Sequence, residues 1–260
     1  MPDFRVYLQP AARPAGRGEN FAEITLPQAE THHLVNVNRA RPGDAVVAFD
    51  GRGAEWLCRL ERVEAKKNAV LSVESACARP PLTCALTLGQ GLPKGGVMDE
   101  IVRQATELGA AAIVPLAAAR SEVRLEADRA EKKIDKWRST AIEAAKQCGN
   151  PFLPEISPVL AVDDFLALPQ VRDAELRLVA SLHPGARPLR TALADFRLTN
   201  GGRPPRSAAW LIGPEGDLTA EEVGAALSAG WIPVSLGPLV LRCDTAAAFA
   251  LSVLRCDTEA

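Results

Sequence analysis

No apolar run in the chain approaches the roughly 20 residues that a bilayer-spanning helix needs; the longest, such as 110–119, fall well short. The amino terminus lacks the apolar stretch of a secretion signal, so the cytoplasm is the expected location. There is no Cys-x-x-Cys, and no Cys/His group has zinc-like spacing. The six cysteines (58, 77, 84, 148, 243 and 256) therefore read as reduced, mostly buried thiols, and no metal is expected. Net charge is nearly absent as well. A value of −2 argues against a generic nucleic-acid binder, and residues 151–260 carry 9 basic against 13 acidic side chains. Any RNA surface must then be a local patch in the first two thirds. Internal repeats and low-complexity tracts are missing. So are the common phosphate cradles: Gly-x-x-x-x-Gly-Lys-Ser/Thr does not occur, nor does Gly-x-Gly-x-x-Gly after a strand. Gly89-Gln90-Gly91 with Lys94-Gly95-Gly96 comes nearest, and it fits a nucleotide phosphate and an RNA phosphate equally.

What is present is an ordinary globular composition, 47% hydrophobic and 24% charged, with two textures. Residues 1–78 read as short strands (4–8, 22–26, 45–49, 54–63 and 70–76) around one short helix at 27–37. Asp50-Gly51-Arg52-Gly53 carries a hairpin signal, and many short strands with glycine turns suggest a small barrel. Arg79-Pro80-Pro81 reads as a linker, because two prolines hold an extended backbone. Residues 79–260 then alternate strands (82–88, 110–116, 176–181, 208–212 and 232–236) with helices at 97–108, 128–148, 219–229 and 245–255. Asp128 is a candidate N-cap, Gly109 and Gly149 are stop signals, and Thr219 with Glu222 forms a capping box. Such alternation predicts an α/β domain on a largely parallel sheet. The Pro/Gly/Arg-rich stretches 10–18 and 199–206 read as exposed loops. Trp137, Trp210 and Trp231 read as core or interface residues rather than base-stacking platforms.

Two segments stand out. Residues 211–217 run Leu-Ile-Gly-Pro-Glu-Gly-Asp, and 235–246 run Ser-Leu-Gly-Pro-Leu-Val-Leu-Arg-Cys-Asp-Thr-Ala. Each places Gly-Pro directly after an apolar strand, where ligands of open α/β sheets bind. Each brings a carboxylate or an arginine among backbone-rich residues, and two such loops can surround a polar ligand with main-chain groups.

Gly213-Pro214-Glu215-Gly216, Leu236-Gly237-Pro238 and Leu241-Arg242-x-Asp244-Thr245-Ala246 resemble the cofactor-binding motifs of the SPOUT methyltransferases. More narrowly, the chain resembles the ribosomal RNA small subunit methyltransferase E family, which makes N3-methyluridine in 16S rRNA. The likeness extends along nearly the whole chain. It includes Arg5-Val6-Tyr7, His32-His33-Leu34, Arg39, Lys94-Gly95, Glu107-Leu108-Gly109, Arg120-Ser121, Lys136-Trp137 and the segment 143–149. The resemblance implies a PUA-like RNA-binding β-barrel over 1–78 and a SPOUT α/β-knot domain over 79–260, with a trefoil-knotted parallel sheet. It also implies a homodimer, S-adenosyl-L-methionine as cofactor, and 16S rRNA or the small ribosomal subunit as partner. The residues expected to bind the cofactor are Ile212, Gly213, Pro214, Glu215, Gly216, Leu236, Gly237, Leu241, Arg242, Thr245 and Ala246.

Within this frame Arg242 and Glu215 are the candidate catalytic residues. Uridine N3 is a poor nucleophile until its proton leaves, and Arg242 offers a planar fork of donors to a charged uracil ring. A structural ion pair from Arg242 to Asp244 or Glu215 is the competing reading. Glu215 has three readings: a contact to polar groups of the cofactor, a base, or a loop anchor that accepts backbone N–H bonds. Thr245 or Asp244 is expected to cap the last helix. Arg5, Arg39, Lys94, Arg120 and Arg124 are candidates for RNA phosphate contacts, each against a plain solvated charge. Gln147 and Asn150 suit a base edge or a loop cap, and one of His32 and His33 reads as a packing histidine. The chain departs from the family at Asp217 (usually glycine), Asp244 (usually glutamate), Cys243 (commonly threonine or valine), Asn38 (usually leucine) and Asn150 (often arginine). Asp217 and Cys243 keep open a catalytically silent RNA-binding or assembly factor. A tRNA or another rRNA position is an alternative substrate.

Overall fold

A computed structural model describes residues 4–9, 23–64, 67–123, 127–183 and 185–259, with the side chains of 127 and 128 left aside. Arg124, the stretch 10–18 and the capping side chain of Asp128 lie outside the described residues. The contacts divide the chain into two units, one of residues 1–81 with 142–153, the other of 82–141 with 154–260.

The first unit holds β1 (Phe4–Tyr7), β2 (Ile24–Thr25), α1 (Gln28–Thr31), β3 (Ala45–Phe49), β4 (Ala54–Glu64) and β5 (Asn68–Ala78). The helix predicted over 27–37 makes one α-turn and then continues as a π-helix, His32–Val37. The sheet runs β1-β3-β4-β5-β2, antiparallel except for the β1–β3 pair. Register shifts at Leu57/Cys58 and Leu60/Arg62 bend the long β4–β5 ribbon. Alternate side chains from the strands meet in one core, where Leu8, Leu34, Leu60 and Leu71 are buried. The Asp-Gly turn forms as read: Asp50 Oδ1 accepts the N–H groups of Arg52 and Ala54. Residues 142–153 complete this unit from far along the chain. Gly53 N–H donates to Pro151 O at 3.1 Å, Leu153 N–H donates to Gly51 O at 3.0 Å, and Lys146 pairs with Glu30 at 2.8 Å. His33 is the packing histidine, with Nδ1 3.1 Å from a Glu143 oxygen.

The second unit contains β6 (Ala85–Gly91), α2 (Val97–Glu107), β7 (Ala112–Leu116), the start of α3 (Ala127–Cys148), β8 (Glu155–Ile156), α4 (Val162–Ala167) and α5 (Pro169–Arg172). It continues with β9 (Leu176–Ala180), β10 (Arg187–Pro188), α6 (Leu189–Thr199), β11 (Ser207–Ile212), α7 (Ala220–Ser228), β12 (Ile232–Ser235) and α8 (Cys243–Thr258). Its described strands form one sheet, β10-β12-β9-β11-β6-β7-β8, parallel throughout. The two-residue side-chain period divides each strand between two cores. On β11, Ala208, Trp210 and Ile212 enter one core with α2, α3, α6 and α8; Ala209 and Leu211 enter the other with α4, α5 and α7. Strands covered on both faces explain the continuous apolar runs of the sequence. Trp137, Trp210 and Trp231 are all buried, as read.

Three expectations are corrected. The sequence reading had no β8, α4, α5, β10 or α6. Helix α8 starts two residues earlier than expected, with Arg242 at the N-cap and no capping side-chain bond, so neither Thr245 nor Asp244 caps it. The cysteines are free, but only Cys58, Cys84 and Cys243 are buried; Cys77, Cys148 and Cys256 are exposed. Among the described residues no helix is long and apolar enough to cross a membrane.

Candidate active site

Strands β12, β9 and β11 are neighbours in the sheet and run in one direction. The segments that leave their carboxyl ends surround a cavity of about 280 Å³. This is the crevice where open α/β sheets bind ligands. From the β11 loop, the predicted Ile212, Gly213, Pro214 and Glu215 line it. From the β12 loop come Leu236, Gly237, Leu241 and Arg242, and from the first turn of α8 comes Ala246. Gly216 and Thr245 do not line it. Thr245 is exposed on α8, and Gly216 packs against Arg120, where an added Cβ would lie 3.0 Å from the arginine Cβ. The sequence reading missed Ala180, Ser181 and Leu182, which follow β9; Asp217, Leu239, Val240 and Cys243 also line the cavity and lie within the two segments singled out, though not among the residues expected to bind the cofactor. Placing β9 between β11 and β12 requires the strand order, which no local pattern encodes.

Steric and conformational demands explain the glycines. At Gly213 the loop folds back so tightly that a Cβ would come within 3.0 Å of Leu218 N. Gly237 adopts φ +127°, a backbone that side-chain-bearing residues avoid, and its N–H donates to Ser235 Oγ at 3.3 Å. Asp217 adopts φ +61°, a left-handed conformation that aspartate tolerates by bonding locally: its Oδ1 accepts Leu218 N–H at 2.8 Å. Aspartate therefore holds this turn where the resemblance led to an expectation of glycine.

Neighbouring loops fasten the β11 loop from outside. The amide of the buried Gln90 donates to Gly213 O at 3.2 Å, and Lys94 N–H donates to Glu215 Oε1 at 3.0 Å. Arg120 donates to Gly216 O at 3.2 Å and Leu218 O at 3.4 Å. Glu222 accepts from both Ala119 N–H and Thr219 N–H at 2.8 Å, while the Thr219 hydroxyl accepts Glu222 N–H, so the predicted capping box also ties two loops together. The Gly89–Gly91 stretch is thus a packing element rather than a phosphate cradle. A Cβ at Gly89 would strike the Phe165 ring, and one at Gly91 would strike Pro214.

The charged groups sort themselves out. Arg242 is exposed at the cavity and makes no ion pair among the described residues, so neither expected partner, Asp244 nor Glu215, engages it. Glu215 performs the loop-anchoring role through Oε1. Burial pushes the Cys243 thiol up to about 11, which keeps it protonated and unreactive at neutral pH. Helix α8 starts at the cavity wall without a side-chain cap, so its first N–H groups have no capping side chain.

The RNA candidates separate. Arg5 is not an exposed cation: its side chain is 9% exposed, it pairs with Glu55 at 2.7 Å, and its guanidinium sits 5.0 Å over the Phe49 ring. Lys94 and Arg120 are exposed in the second unit, the first paired with Glu122 and the second committed to carbonyls. Arg39 and Gln147 are exposed in the first unit, and Asn150 caps its own loop by accepting Phe152 N–H. Arg124 lies outside the described residues. No group of three or more metal-ligating side chains occurs among the described residues.

A family model described as an RNA methyltransferase domain matches residues 80–255, and one described as an RNA methyltransferase PUA domain matches 26–74. Fold and sequence together define an RNA methyltransferase with a PUA domain. The chain is 33% identical over 242 residues to the ribosomal RNA small subunit methyltransferase E of Bacillus subtilis, covering 93% of each. It is 32% identical over 232 residues to the protein of that name from Synechocystis, covering 89% of this chain and 72% of that one. It belongs to the ribosomal RNA small subunit methyltransferase E family. Among solved structures it is similar to a Legionella pneumophila methyltransferase in complex with SAM, at 30% identity, 97% coverage of each chain and a TM-score of 0.82. The Neisseria gonorrhoeae family member bound to S-adenosyl methionine follows at 28% identity, 98% and 97% coverage, and a TM-score of 0.81.

Proposed function

We propose that this chain transfers the methyl group of S-adenosylmethionine to N3 of a specific uridine in 16S ribosomal RNA, in the cytoplasm, as a homodimer whose two glycine loops belong to a trefoil knot. The observation that carries this reading is an arginine, Arg242, without an ion-pair partner among the described residues, in the wall of a glycine-built cavity beyond three parallel strands. The lining suits the cofactor. Leu236, Leu241 and Ala246 supply apolar surface for an adenine ring and thioether carbons. Main-chain groups of both loops and the start of α8 suit ribose hydroxyls and a carboxylate, and Glu215 and Asp217 suit cationic groups. Bound there, S-adenosylmethionine supplies a methyl group on a good leaving group.

The residues of the chain supply the rest. Held at near-attack distance, N3 of uracil must shed its proton to become nucleophilic. Arg242 donates to the uracil carbonyls and stabilises the ring anion. Glu215 anchors its loop through Oε1; its Oε2 has no hydrogen-bond partner among the described residues and takes the proton from N3. Arg39 and Gln147, both exposed, are the RNA contacts we assign to the first unit, and Lys94 and Arg120 face RNA only with hydrogen bonds already committed.

The test is deletion of the gene followed by mass mapping of 16S rRNA nucleosides. N3-methyluridine should vanish and return with a plasmid copy. Its persistence in the deletion strain overturns the assignment.

A further inference from the structure

Asp217 lines the cavity in a left-handed backbone conformation at φ +61°. Such conformations persist only where the surroundings over-determine them, and they cluster at ligand sites. Here the surroundings are explicit. Asp217 N–H donates to Pro214 O at 2.9 Å, Oδ1 accepts Leu218 N–H, and Arg120 holds the carbonyls of Gly216 and Leu218 on either side. The carboxylate is thereby fixed, and among the described residues its Oδ2 has no hydrogen-bond partner and no cation pairs with it. Among the described residues the charged lining comprises Glu215, Asp217 and Arg242, two carboxylates against one guanidinium. It is net negative, and it would be neutral without Asp217.

We infer that Asp217 sets the preference of the cavity for a net-cationic methyl donor over its demethylated product. The inference rests on the proposed reading of the cavity as the cofactor site. S-adenosylmethionine carries a sulfonium and an ammonium against one carboxylate and is net positive. S-adenosylhomocysteine has lost the methyl group and the sulfonium charge and is net neutral. The two ligands are otherwise alike, so a fixed carboxylate in the wall separates them by coulombic attraction. The donor then competes with the product more effectively than it would at a neutral site.

The experiment is calorimetric titration of the full chain with each ligand, for the wild type, Asp217→Asn and Asp217→Gly. Asparagine tolerates the left-handed turn and glycine adopts it freely, so both variants keep the loop while removing the charge. The ratio of donor affinity to product affinity should fall about three- to tenfold in both variants. In the wild type the same ratio should fall as salt rises from about 0.05 to about 0.5 M. A ratio unchanged by substitution and by salt overturns the inference and leaves the cofactor site standing. Binding of neither ligand to the wild type overturns the cofactor reading and the inference with it.

Discussion

Gly91, the last residue of β6, lies directly under Pro214 of the β11 loop: a Cβ at 91 would sit 2.5 Å from the proline Cδ and 2.6 Å from its nitrogen. Gly91 does not line the cavity, yet it sets how low the loop above it can settle. Gly91→Ala should lift Pro214 and its neighbours. We expect S-adenosylmethionine affinity to drop about tenfold and stability to fall by about 1–3 kcal/mol through overpacking. Calorimetric titration and urea melts check the pair; unchanged affinity would show that the loop moves without consequence.

Arg242 carries a prediction of a different kind. Because its guanidinium makes no ion pair among the described residues, removing it leaves no buried charge behind. Arg242→Ala should lower kcat about 10²–10³-fold, as for the loss of a donor to a developing anion, without weakening cofactor binding, because the lining becomes more negative. Arg242→Lys keeps the charge but loses the fork, and it should fall between the two. Equal losses in kcat and cofactor affinity would reassign Arg242 to cofactor binding.

For Glu215, glutamine separates anchor from base. The amide oxygen of Glu215→Gln still accepts Lys94 N–H, so the loop should hold, and cofactor affinity should fall by no more than about tenfold, the loss of one lining charge. Turnover should drop about 100-fold, the contribution of a positioned base. Wild-type turnover in the glutamine variant would leave Glu215 as a loop anchor only. Glu215→Ala should lose affinity as well.

A pH effect belongs to the first unit. Burial opposes ionisation of Glu55, but hydrogen bonds from Arg79 and Arg5, both at 2.7 Å, outweigh it and hold the carboxyl below its usual range. A depressed folded-state value means stability that is present above the unfolded value, about 4.3, and is lost as pH falls further. Unfolding followed by amide hydrogen exchange of the first-unit strands should therefore show falling stability below about pH 4.5. Glu55→Gln should flatten that slope and cost about 3 kcal/mol at pH 7 by leaving Arg5 short of its partner. A slope identical in the variant would trace the acid sensitivity to other groups.

The elements legible in the sequence were those with strong local signals. Thr219 with Glu222 announced α7, Gly109 and Gly149 closed α2 and α3, and Asp50-Gly51 marked its turn. Helix α6 has helical spacing at Leu189, Ala192 and Leu193 but no local start signal, because it follows proline directly and has no capping side chain. The two glycine loops were legible because backbone geometry demands particular residues there. The third wall, Ala180–Leu182, was not, because its nearness to them is a matter of sheet order alone. Arg5 misled for a related reason: a charge in the sequence carries no mark of the partner it finds at Glu55, 50 residues away.

The composition of the first unit decides how the gene can be cut. A fragment ending at the Arg79-Pro80-Pro81 linker omits residues 142–153, and with them Lys146 for Glu30 and the chain that backs Gly51 and Gly53. Dissection at the proline pair should yield an insoluble or molten amino-terminal piece. A version that splices 142–153 back through a short flexible linker is the smallest one expected to stand alone.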